Sequence, residues 1–161
     1  MRQLSALETV AIISVAGSVL AATVPAFITS LRASRLSEPV DGLSHIAARA
    51  SAYAYGHPVN LAYPSSVSLT PARVPAGQRV VDPQGTWEHP TWRRLDFAET
   101  DPHGFSFEFI SELGQNRSTF VARAHGDLDG DGITSTFEIT GESVTSDAPK
   151  LGPLRVYREV E

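Results

Sequence analysis

Apolar positions along this chain change their spacing several times. From Thr9 to Leu31 there are twenty-three residues without a charge. At about 1.5 Å per helical residue, such a run reaches across a bilayer core of about 30 Å, so it predicts a membrane-spanning helix. From Leu31 onward, Leu36, Leu43, Ile46, Ala47, Ala50 and Tyr53 recur at spacings that fit one helical stripe. The helix is therefore expected to continue to residue 54, with bends at Pro25 and Pro39 and an interruption near Gly42. Residues 56–104 lose this periodicity and hold most of the chain's prolines, which predicts a long irregular surface connection.

Strand periodicity begins at Phe105. FSFEFIS alternates Phe105, Phe107 and Phe109 with Ser106, Glu108 and Ile110, and RSTFVARAH sets Phe120, Ala122 and Ala124 against Thr119, Val121 and Arg123. TSTFEITG and PLRVYREV supply two more strands, giving four short antiparallel strands with a helix across them, an α+β fold. Within the irregular stretch, Trp87 and Trp92 flank Glu88-His89-Pro90-Thr91. One reading docks these aromatics onto the head by apolar burial. The other makes them a platform for a ligand or partner.

Composition narrows the function classes. The net charge of −5 comes without a cluster of lysine and arginine, so no nucleic-acid partner is expected. There is no cysteine, so disulfide and thiolate chemistry are excluded. His45, His57, His89, His103 and His125 are scattered without metal-ligand spacing, and there is no nucleophile elbow or phosphate-binding glycine motif. Catalysis is not expected. Asn116-Arg117-Ser118 fits a glycosylation pattern but reads as part of a turn.

Glu8, at the edge of the apolar run, is a charge in need of a partner, because an unpaired carboxylate beside lipid is costly. The opening LSALETVAIISVAGSVLAATVPAF resembles the N-terminal helix of type IV pilins and of the pseudopilins of type II secretion systems. With Leu4 counted as the first mature residue, Glu8 is fifth, Gly17 fourteenth and Pro25 twenty-second, the positions of that family's glutamate, glycine and proline. The resemblance implies a ladle, in which residues 4–54 form a long helix packed on a small antiparallel sheet of about four strands and 55–161 form the head.

It also implies that residues 1–3 are a leader, cut between Gln3 and Leu4 by a prepilin peptidase, with methylation of the new amino terminus. Gln3 stands where the family normally carries glycine. The implied life cycle runs from a single-pass inner-membrane protein to an extracellular or periplasmic filament, built from copies of this chain or other pilin-like subunits on an assembly platform. Glu8 would there meet the amino terminus of a neighbouring subunit. Charge placement alone, with Arg2 before the span and Arg32 and Arg35 after it, leans against that orientation. A secretory signal peptide is disfavoured because no small-x-small cleavage site follows the run. The alternative function is a membrane-anchored extracytoplasmic module that binds calcium or another ligand without polymerising.

The run DLDGDGITSTFE matches a calcium-loop pattern at Asp127, Asp129, Asp131, Gly132 and Glu138. Clustered carboxylates repel one another, and a hard cation with oxygen ligands relieves the repulsion. Calcium would take side-chain oxygens from the three aspartates and Glu138 and the backbone carbonyl of Ile133. The flanks read as strands, however, and Asp-Gly repeats also make tight turns between strands without any ion. Both readings stay open at this point. The tract also resembles a C-terminal segment seen in many pilin-like proteins.

Overall fold

The computed structural model describes residues 36–145 and 147–158. Helix α1 covers 36–55 and buries Pro39, Gly42, Leu43, Ile46, Ala47, Ala50 and Ala54, one face spaced by threes and fours. Its other face exposes Asp41, Ser44, His45, Ala48 and Arg49. The helix is continuous through Pro39 and Gly42, where an interruption was expected. Gly42 serves packing instead: a Cβ there would lie 2.7 Å from Cε1 of Phe107, so only glycine lets that ring seat against the helix.

After α1 come a 3-10 turn, Val59–Leu61, and strand β1, Val67–Thr70. A short helix α2, Pro90–Arg94, precedes strands β2, Phe105–Glu112, and β3, Arg117–Gly126. Strand β4 is Ser135–Val144, followed by β5, Lys150–Leu151, and β6, Arg155–Tyr157. The sheet runs β1-β2-β3-β4-β5, with β6 also on β4, and each of these pairings is antiparallel. Phe105, Phe107, Phe109, Phe120, Ala122, Ala124 and Phe137 project into the core at 3% exposure or less. Burying each phenylalanine contributes about 1.5–3 kcal/mol. Phe120 lies opposite Gly141, whose missing side chain leaves room for the ring.

This architecture corrects the expected ladle. The described fold is dominated by a six-stranded sheet, and among the described residues its one long helix covers 36–55, where a helix over 4–54 on about four strands was expected. Two sequence features account for the extra strands. The proline-rich stretch is not wholly irregular, because VSLT pairs with β2 through Val67↔Phe109 and Thr70↔Phe107. The C-terminal run PLRVYREV, expected as one strand, supplies β6, and an additional strand, β5, lies ahead of it across Pro153, which has no N–H for a ladder. Gly152, just before it, still donates to the carbonyl of Thr140 at 2.8 Å.

The expected single-pass inner-membrane placement is corrected as well. Among the described residues no helix is long and apolar enough to cross a membrane. The physical reason in α1 is its polar face, which carries charges along the helix. Residues 4–35 of the expected helix, the run Thr9–Leu31 included, lie outside the described residues.

Candidate metal centre

Strands β3 and β4 pair down to Gly126↔Ser135, which leaves residues 127–134 to make the crossing. Asp127 organises it. One carboxylate oxygen accepts from the N–H of Gly130 at 2.8 Å and the other from the N–H of Gly132 at 3.1 Å. Asp129 Oδ1 accepts from Asp131 N–H at 3.1 Å, and Asp131 Oδ1 from Ile133 N–H at 2.6 Å. Gly130 and Gly132 hold φ of +80° and +87°, a region that costs L side chains but not glycine.

Each aspartate thus curls the backbone around itself. As a result, one carboxylate oxygen from each of Asp127, Asp129 and Asp131 lies within 4.8 Å of the others. Asp129 and Asp131 are exposed, whereas Asp127 is 5% exposed, so its charge is the least screened of the three. A second turn closes on the loop: Gly77 N–H donates to the Asp127 carbonyl at 2.8 Å.

Glu138 is placed elsewhere. It lies three residues into β4, about 10 Å along the strand from the loop end, directly opposite Arg123. Arg123 Nε donates to Glu138 at 2.8 Å, and its Nη1 donates to Glu108 on β2 at the same distance. Glu108, Arg123 and Glu138 are in register across three strands. Arg123 is held above its ordinary pKa, first by its hydrogen bond to Glu108, against the opposing pull of burial. The gathered carboxylates are therefore the three aspartates, and Glu138 is not among them.

The donor set is all oxygen, which suits a hard cation such as calcium. The three carboxylates fit it only in part, because the bidentate carboxylate that ends a calcium loop is committed to Arg123, and of Ile133 it is the N–H that is engaged, by Asp131. Such a site belongs with weak binders, about 10⁻⁴–10⁻³ M.

The irregular stretch holds the two tryptophans set apart in the sequence and, beside them, polar partners that sequence reasoning passed over. Trp92 is fully buried and donates from Nε1 to Thr70 Oγ1 at 3.0 Å, which removes it from any ligand platform. Half-buried Trp87 donates to Asp82 Oδ2 at 2.8 Å, and its ring lies 5.4 Å from Phe97. His103, 1% exposed, reaches the same Asp82 oxygen with Nε2 at 3.0 Å, while its Nδ1 faces the carbonyl of Phe105 at 2.8 Å. A carbonyl only accepts, so it is Nδ1 that donates in that contact. Glu38 of α1 accepts from the N–H groups of Gly104 and Phe105, at 2.8 and 3.1 Å, and from Arg79 at 2.7 Å.

Of the contacts that sequence reasoning missed, the cross-strand triple had a signal, namely opposite charges at matching places on three polar strand faces. The assembly and processing residues Gln3, Leu4, Glu8, Gly17 and Pro25 lie outside the described residues. Comparison with family models, curated proteins and solved structures finds no match to the chain.

Proposed function

We propose that this chain is a structural subunit of a type IV pilus or related pseudopilus filament, polymerising through its apolar N-terminal segment. The observation that carries the reading is one register: with Leu4 first, Glu8, Gly17 and Pro25 all fall on the positions of the pilin glutamate, glycine and proline. Packing many copies of an uncharged segment side by side buries apolar surface and supplies Glu8 with the amino terminus of a neighbour. A prepilin peptidase acting at Gln3-Leu4 and an assembly platform are the partners this requires. Glu8→Ala should abolish incorporation into sheared surface filaments while leaving the melting temperature of the head unchanged. Normal incorporation of the variant would sink the reading.

A second reading is favoured by a separate observation, the three carboxylate oxygens held within 4.8 Å of one another. In it the head is a calcium-binding module whether or not the chain polymerises. Calcium raises the melting temperature of the full chain on this reading, and identical curves in calcium and in chelator would leave the loop as a turn.

A further inference from the structure

A groove of about 520 Å³ lies where the end of α1 and the turn after it meet the β3 hairpin turn and the end of β4. That volume falls within the range of small-ligand sites, about 300–1,000 Å³. Its walls carry Tyr55, His57, Asn60, Gln115, Thr145 and Asp147. Tyr55, the last residue of α1, leaves 69% of its surface exposed at the groove. His57 stacks flat on Tyr53, with ring centroids 3.8 Å apart and planes at 7°, and its Nδ1 donates to the Tyr53 carbonyl at 2.8 Å. That bond fixes the ring and leaves Nε2 as an acceptor when the imidazole is neutral.

The side-chain carboxamides of Asn60 and Gln115 spend no hydrogen bond on the described residues, so two donors and an acceptor on each are available. Among the described residues of the lining Asp147 is the one carboxylate, and Lys150 pairs with it. Pro58 and Pro149 stiffen the walls.

This arrangement selects a ligand class. With its one carboxylate paired to Lys150 and no lysine or arginine among the described lining residues, it offers an anion no unpaired positive charge. Its free carboxamides would be left without partners under a purely apolar ligand. A polyhydroxylated ring satisfies both conditions, since every hydroxyl is donor and acceptor at once and the C–H face of the ring can lie on an exposed tyrosine. We propose that this groove binds a neutral saccharide, with Tyr55 as the stacking surface and Asn60, Gln115 and His57 as the hydroxyl-reading groups. The proposal does not depend on filament formation.

The test uses the full chain with maltohexaose, cellohexaose and chitohexaose as probes, read by calorimetry or by shifts of groove resonances. One of the three should bind saturably with Kd on the order of 1 mM, and Tyr55→Ala should weaken it about tenfold. Asn60→Ala with Gln115→Ala should weaken binding as well, and the melting temperature should stay put in each variant. Retention on insoluble amylose, cellulose or chitin marks a polymeric surface glycan as the source, and binding of the soluble hexaose alone marks a free oligosaccharide; both support the proposal. No binding at about 10 mM of any probe overturns it. So does binding that survives both sets of substitutions, or a preference for an anionic hexagalacturonate.

Discussion

Two irregular segments of this molecule keep their shape by opposite means. Residues 79–103 are fastened from inside: Trp92 sits in the core bonded to Thr70, and Trp87 and His103 share the buried carboxylate of Asp82. Residues 127–134 are fastened from outside, by aspartates that cap the loop's own N–H groups while two of them remain in solvent. The inner mode draws on apolar burial and keeps the Asp82 carboxylate out of solvent, where salt screens it least. The outer mode concentrates negative charge, which makes its order dependent on whatever neutralises that charge. Order at the surface is the kind a binding event can adjust.

Substitutions sharpen this contrast. The largest effect is expected for Trp92→Ala, which should cost about 3–5 kcal/mol in a denaturant titration because the side chain is fully buried. A loss below about 1 kcal/mol would mean that the 79–103 segment is not anchored through the core. Next comes Asp127→Ala, which strips two backbone donors of a charged acceptor at a buried site and should cost about 2–3 kcal/mol. Asp129→Ala, at an exposed site with one such bond, should cost less than about 1 kcal/mol. Equal losses at the two sites would erase the hierarchy assigned to the loop.

Calcium at about ten times its Kd should add about 1.4 kcal/mol of stability, and Asp129→Asn with Asp131→Asn should remove the gain. The same titration of a Trp87→Phe variant should show the full calcium response, since that residue serves the inner mode. The smallest effect belongs to Glu99, which lies in the inner segment. Its carboxyl is raised above its ordinary 4.5, first by burial and then by the charge of Glu38. A raised folded-state value means that the proton binds the folded head more tightly. The stabilisation it brings is complete below the ordinary value and is lost as pH rises through the raised one. Glu99→Gln should therefore flatten the fall in denaturant midpoint from pH 4.5 upward, and an unchanged slope would remove Glu99 from that dependence.

Much of the sheet was legible because β2, β3 and β4 alternate over eight to ten residues, long enough for the period of two to declare itself. Strand β1 was not, since VSLT is only four residues long and is followed directly by Pro71. Gly42 read as a helix break because its partner, Phe107, is sixty-five positions away and invisible to a local pattern. The aspartate cluster was legible from spacing, since short-range Asx contacts build it. Glu138 was harder to place because counting along a motif ignores cross-strand register, which delivers the residue to Arg123.

The margins of the sheet carry a consequence of their own. One margin is a strand of four residues, and the other is divided into pieces of two and three around Pro153. A foreign strand needs a longer run of free N–H and C=O groups to zip onto, so neither margin offers a template for runaway β-aggregation. Copies of this head crowded at high local concentration would meet through side chains rather than ladders, and each would keep its own fold while its neighbours came and went.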